Sequence, residues 1–167
     1  MSSINIIKNF LPLTKFKRLQ EIVFSHKFPY YYSATVGNYE AKDGFMFTHL
    51  LYDIKKITSD FYSDISKPLF EKLNIKKENL VRLKINCYTK SNEHNYHFFH
   101  TDWNYKHKVL LYNLNDNNGY TEFENNEKII SKANEAIIFD GNIKHRSVSQ
   151  TDEDLRININ LNYKETI

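Results

Sequence analysis

The segment Leu155–Tyr163 constrains this chain more than any other, because every second residue in it is apolar. Side chains on a β-strand point to opposite faces with a period of two, so Leu155, Ile157, Ile159, Leu161 and Tyr163 must share one face. Arg156, Asn158, Asn160 and Asn162 then share the other. Residues 81–88 repeat the design, with Val81, Leu83, Ile85 and Cys87 alternating against Arg82, Lys84, Asn86 and Tyr88. Two such strands bury their apolar sides against helices or a second sheet. Their polar sides face a polar space, read here as an active site; the competing reading is a half-exposed antiparallel sheet whose polar faces meet solvent.

From Leu80 onward, short β-type runs alternate with turn clusters: 81–88, 109–114, 120–123, 136–139, 146–148 and 155–163. That rhythm belongs to a jelly roll. The amino-terminal part reads as helical. Phe16, Leu19, Ile22 and Val23 have helical spacing within 14–24, with Thr14 as candidate N-cap. Leu50, Leu51, Ile54, Ile57 and Phe61 form a second helical stripe, and Ile65, Leu69 and Leu73 a short helix interrupted by Pro68. Residues 28–39, with three consecutive tyrosines, are an early strand or an aromatic loop. A length of 167 residues, with four Gly and three Pro, predicts one folded domain, 1–79 as a mainly helical support and 80–167 as the β core.

Composition excludes several function classes. The net charge of +3 is spread along the chain and gives no strong nucleic-acid signal. Abundant Lys, Asn, Ile, Tyr and Phe reflect an A+T-rich genome. A single cysteine, Cys87, precludes an internal disulfide and suits a reducing, cytoplasmic setting. Residues 1–9 lack a secretion pattern, and no apolar stretch is long enough to span a bilayer, so no membrane partner is expected. Oligomeric state is left open.

The chemistry-bearing residues are His100-Thr101-Asp102, His145 and Arg156. Two imidazoles and one carboxylate are the set that holds a non-haem Fe(II) on one face and leaves other positions open. The tripeptide alone is a weak signal. It gains weight from 139–145, where an apolar strand end and a turn deliver His145, and from the alternating strand that opens at Arg156. A polar stretch, 149–154, separates His145 from Arg156. A hairpin turn centred between Gln150 and Thr151 would set the two directly opposite each other, the guanidinium beside the metal. The alternative for Arg156 is a surface salt bridge to Asp152 or Asp154.

On these residues the chain resembles the 2-oxoglutarate/Fe(II)-dependent dioxygenases, in particular small phage-type and prolyl-hydroxylase-like members, over about residues 82–163. The resemblance implies a double-stranded β-helix core, with amino-terminal helices packed on the major sheet, and, from its phage-type members, a viral source; the expected setting is the cytoplasm of the cell or of an infected host cell. It implies that His100, Asp102 and His145 hold Fe(II), and that Arg156 takes the distal carboxylate of 2-oxoglutarate in a bidentate fork. Asn86-Cys87-Tyr88 matches an Asn-x-Tyr pattern in some members, which gives Tyr88, and Asn86 beside it, a part in holding 2-oxoglutarate. The implied reaction consumes 2-oxoglutarate and O2, releases succinate and CO2 and hydroxylates a C–H bond, with ascorbate as a stimulant. Enzymes that repair alkylated bases carry a second arginine where this chain has Asn162, a departure that disfavours a nucleobase target. A protein or peptide side chain such as proline is the first substrate expected; a nucleobase, a small metabolite, or a cupin-like metal module without turnover are the alternatives.

His94, His97 and His100 are spaced i, i+3, i+6, but 92–95 reads as a loop, so no second metal site is expected there. His94, His97 and His107 are expected to be exposed or to line the entrance. Trp103 either stacks on substrate or covers the metal. His26 and His49 are expected only to pack.

Overall fold

A computed structural model describes residues 4–37 and 43–165. In chain order its elements are β1 (Asn5–Ile7), α1 (Leu13–Val23), β2 (Tyr31–Ser33), β3 (Met46–Asp53), β4 (Lys56–Ile57), α2 (Tyr62–Leu73), β5 (Leu80–Thr89), β6 (Lys108–Asn113), β7 (Tyr120–Phe123), β8 (Lys128–Ile130), β9 (Glu135–Asp140), β10 (His145–Val148) and β11 (Leu155–Tyr163). The major sheet has the order β1-β9-β6-β11-β5-β3-β2, with β4 on β3, and the minor sheet the order β10-β7-β8. Isolated bridges from Tyr96 to Val148 and from His100 to His145 lay the segment 96–100 along the free edge of β10. From β5 onward the chain passes back and forth between two facing antiparallel sheets, which is the double-stranded β-helix.

The two faces of the major sheet do different work. Its outer side carries Leu83, Ile85, Cys87, Leu110, Tyr112, Ile157, Ile159 and Leu161, covered by Phe16, Leu19, Val23, Ile65 and Leu69 of the two helices. Between the sheets the interior is divided. Val109, Leu111, Ile137 and Phe139 of β6 and β9 pack on Phe123 and Ile129 of the minor sheet as an apolar plug. The β5 and β11 half presents the polar rows instead, in rungs fixed by register: Arg82 opposite Asn162, Lys84 opposite Asn160, Asn86 opposite Asn158 and Tyr88 opposite Arg156. The solvent-facing alternative fails, because Arg156, Asn158, Asn160 and Asn162 are all buried.

Several expectations are corrected. The stripe from Leu50 to Phe61 is strand rather than helix: a register shift between Leu50 and Tyr52 marks a β-bulge, and the extra residue makes the apolar spacing imitate a helix. The turn that follows holds Ile54 and Lys55 at φ 37° and 71°, positions where no Gly or Asn announces it. Helix α2 runs through Pro68 instead of stopping there, its buried Ile65 and Leu69 holding both halves on the core. Helix α1 begins at Leu13 behind Pro12, so Thr14 lies inside it, and no side chain caps it. The region 28–39 yields the short strand β2, and its last two residues lie outside the described part. Strands β1 and β8, three residues each, went unread.

His145 and Arg156 are not hairpin partners. His145 pairs with Phe123 of β7, and Arg156 pairs with Tyr88 of β5. The polar stretch between them crosses from one sheet to the other, as alternation between sheets requires.

Candidate metal and anion site

Three side chains converge at the polar end of the interior. One ligand atom each from His100, Asp102 and His145 lies within 4.8 Å of the others. The backbone explains the pairing of the imidazoles: His100 N–H donates to His145 O and His145 N–H to His100 O, both at 3.0 Å, which sets the rings with centroids 4.7 Å apart. Each ring uses Nδ1–H locally, His100 toward Phe98 O at 3.1 Å and His145 toward Ile143 O at 3.2 Å. That tautomer leaves both Nε2 lone pairs free for a cation. Gly37 lies against the first ring, where a Cβ would come within 2.4 Å of His100 Nδ1.

Asp102 is held from β11 and β5. Its Oδ2 accepts from Asn162 Nδ2 at 2.7 Å and Asn160 Nδ2 at 3.1 Å. Arg82 Nη2 approaches Oδ1 at 2.9 Å, but the N–H vectors miss it, so this is a charge contact rather than an aligned hydrogen bond. Burial alone would raise the Asp102 carboxyl, yet Arg82, then His145, Lys84 and the Asn162 hydrogen bond outweigh it and hold the group well below the usual carboxylate range. Burial pushes His145 down to about 4, against the pull of Asp102, so this imidazole is neutral near pH 7. Phe139 and Phe123 form the apolar wall behind it.

Behind the triad sits a guanidinium with no carboxylate partner among the described residues. Arg156 is 1% exposed. It donates from Nε to Ser131 Oγ at 2.8 Å, from Nη1 to Ser147 Oγ at 2.5 Å and Val148 O at 3.2 Å, and from Nη2 toward Thr121 Oγ1 at 3.5 Å. All these acceptors are neutral, so a full positive charge is buried without compensation. The surface salt bridge to Asp152 or Asp154 is therefore excluded. The Tyr88 ring lies 5.1 Å from this guanidinium, and Asn86 Nδ2 donates to Asn158 Oδ1 at 3.0 Å. Despite the failed hairpin, Arg156, Tyr88, Asn86 and the triad line one inner pocket, to which Thr121 and Ser147 also contribute. Asn86 Oδ1 and Asn160 Oδ1 are buried there without a partner among the described residues.

The inner pocket opens into an outer hollow of about 420 Å³, which also reaches Arg82, Lys84, Asp53, Thr48 and Trp103. Trp103 stands at its side, its indole N–H 3.3 Å from Asn162 Oδ1 and its ring 5.4 Å from the Arg82 guanidinium. His97 and His107 are buried, contrary to expectation: each donates Nδ1–H to a carbonyl, Ser147 O and Tyr105 O, both at 2.7 Å. His94 is half-buried on Ser149 O. Among the described residues neither His94 nor His97 joins a metal-competent cluster. The supporting roles of Asn160, Asn162, Ser131 and Ser147 were not foreseen. For the two asparagines the signal was present, since period two placed them beside Arg156; Ser147 on β10 and Ser131 just after β8 carried none.

No protein-family model matches the chain, and no curated protein matches it. Solved structures do. A 2OG-Fe(II) oxygenase-family oxidoreductase from Burkholderia pseudomallei superposes with a TM-score of 0.65 at 9% identity, covering 98% of this chain and 86% of that one. A prolyl-4-hydroxylase from Pseudomonas putida gives 0.65 at 11%, covering 99% and 94%. A prolyl hydroxylase from Trichoplax adhaerens, solved with a hypoxia inducible factor peptide fragment, gives 0.64 at 14%, covering 96% and 83%. The chain has the double-stranded β-helix fold of the 2-oxoglutarate/Fe(II) oxygenases.

Proposed function

We propose that this protein is a 2-oxoglutarate- and Fe(II)-dependent oxygenase that hydroxylates a C–H bond. The observation that carries the proposal is the convergence of His100, Asp102 and His145 on one point, with the uncompensated Arg156 at the back of the same pocket. The donor set suits the metal: two neutral imidazoles with free Nε2 atoms and one carboxylate kept ionised are a facial triad. The charge of Arg156 suits a dicarboxylate co-substrate.

In this assignment His100, Asp102 and His145 hold Fe(II), which supplies the activation of O2 coupled to conversion of 2-oxoglutarate to succinate and CO2. Arg156 binds the distal carboxylate, Ser131 and Ser147 fixing the fork. Tyr88 orients the co-substrate from the opposite rung, and Asn86 and Asn160 offer their unpartnered carbonyl oxygens to the bound groups or their water. Asn160 and Asn162 orient the Asp102 carboxylate. Val109, Leu111 and Phe139 keep bulk water from the closed end of the interior. An amino-acid side chain is the target we infer, and proline, free or within a peptide, is the first to test, because two proteins of this fold are named prolyl hydroxylases. Ascorbate should stimulate turnover, and the cytoplasm of the cell or of an infected host is the inferred setting.

Anaerobic addition of Fe(II) and 2-oxoglutarate should give a weak visible charge-transfer band, and O2 should then release succinate. Absence of both would leave a metal-binding module without turnover.

A further inference from the structure

We infer that the outer hollow binds its target as a free α-amino acid, with the α-carboxylate on Lys84 and Arg82 and the α-ammonium on Asp53. This rests on the oxygenase assignment and concerns how the target is presented to it.

The wall that faces the metal ligands is charged, and apart from the ion pair of Arg82 with Asp102 at 2.9 Å its charges have no partner within 4.0 Å among the described residues. Lys84 belongs to both the inner pocket and the outer hollow, and among the described residues it makes no ion pair within 4.0 Å. Arg82 lends Asp102 its charge without an aligned hydrogen bond, so its Nε–H and Nη2–H are buried with no acceptor among the described residues. Asp53 also lines the hollow, and its Oδ1 is buried with no donor among the described residues. Each orphaned group costs free energy unless something in the hollow satisfies it.

Asp53 reaches this place through the bulge in β3. Met46, Thr48 and Leu50 face the hollow by ordinary alternation, which would next bring in Tyr52. The register shift between Leu50 and Tyr52 turns both Leu51 and Tyr52 into the helix-side core and swings Asp53 inward, directly opposite Arg82. Bulges re-aim side chains in this way next to binding sites. The resulting surface has an acceptor on one rung, cationic donors on that rung and the next, and the metal ligands at its edge. An isolated α-amino acid carries that pair of opposite charges a few ångströms apart, whereas a residue within a peptide has neither.

The test uses the Fe(II)-loaded protein with 2-oxoglutarate and O2 and compares twenty free L-α-amino acids with their carboxamides, their N-acetyl derivatives and short capped peptides. At least one free amino acid should raise succinate release above the rate without target, and capping either end should raise its half-saturating concentration at least ten-fold. Lys84→Met should abolish the preference for acid over amide, and Asp53→Asn the preference for free over acetylated amine. Capped peptides that stimulate as well as the free amino acid, or stimulation by peptides alone, would overturn the inference while leaving the oxygenase standing. Should the protein release no succinate under any condition, the oxygenase assignment falls. Calorimetric titration of the Zn(II)- and 2-oxoglutarate-loaded protein with the same panel then decides the inference by itself: uncapped amino acids bind and capped ones do not, or it is wrong.

Discussion

Asn162 donates to Asp102 Oδ2 at 2.7 Å, joining the last strand of the major sheet to a loop residue 60 positions earlier. With Asn160 at 3.1 Å, it fixes which face of the carboxylate the two imidazoles see. Both asparagines are buried and reach Asp102 from successive inward positions of one strand. Partners of this kind typically contribute 10–100-fold in metal affinity. Asn162→Leu, similar in size but without a donor, should weaken Fe(II) or Zn(II) binding by about that factor and leave the thermal midpoint of the metal-free protein little changed. A competition titration against a metallochromic chelator reads it. Wild-type affinity in this variant would count against an orienting role.

Arg156 poses the opposite case, a charge that costs stability until a ligand arrives. Its acceptors are hydroxyls and one carbonyl, and its charge is opposed by burial. Exchanging a buried ion pair for apolar side chains of similar volume is often neutral or stabilising, and a lone buried ion carries the same desolvation cost with less to offset it. Arg156→Met should therefore match or exceed the wild-type melting temperature without ligand. It should also raise the 2-oxoglutarate requirement about 100-fold or more, as loss of about 3 kcal/mol implies. Addition of 2-oxoglutarate should raise the melting temperature of the metal-loaded wild type and leave that of the variant in place. A variant that melts much lower would show Arg156 to be a structural residue.

The legibility of this fold follows the regularity of its strands. β5 and β11 alternate in step from Arg82 and Asn162 to Thr89 and Leu155, their one register shift falling at the far end, so their faces, the polar space between them and the inward face of Arg156 are legible in the sequence. β7 and β11 came out with the bounds read from sequence. β3 was not readable, because its bulge puts Leu51 and Tyr52 on the same side and destroys the period of two. The partnership of His145 failed for a topological reason: a polar connector of six residues looks the same whether it turns back within a sheet or crosses to another. The triad survived that error, since His145 owes its place to His100 rather than to Arg156. The burial of His97 and His107 depended on backbone carbonyls from strands and loops, Ser147 O and Tyr105 O, that no local pattern names.

Gly37 tests the packing around the first imidazole. A methyl group at this position would lie 2.4 Å from Nδ1 and 2.6 Å from Cε1 of His100, well inside contact distance. The ring would have to turn, breaking the Nδ1–H hydrogen bond to Phe98 O and moving Nε2 away from Asp102 and His145. Gly37→Ala should lower metal affinity at least ten-fold, with an unaltered far-ultraviolet circular dichroism spectrum. Unchanged metal binding would mean that the segment before residue 38 yields in place of the ring.

His49 offers a pH test remote from the metal ligands. It is 4% exposed, holds Pro29 O through Nδ1 at 2.6 Å and Ser59 Oγ through Nε2 at 2.7 Å, and packs its ring 4.6 Å from that of Phe28. Burial lowers its pKa, only partly opposed by the Pro29 hydrogen bond, so the folded protein resists a proton that the unfolded chain takes up at about 6.5. The sign follows: below about pH 6.5 the unfolded state binds more protons here, and stability falls as the pH drops. The contribution is complete above that value. His49→Gln removes the titration but also the ring, so the variant should be less stable at pH 7.5 and yet lose less on acidification to about pH 5. Urea denaturation at several pH values measures the difference between the two curves, to which the other histidines contribute equally. Parallel curves would mean that Ser59 and Pro29 accommodate the imidazolium as readily as the neutral ring.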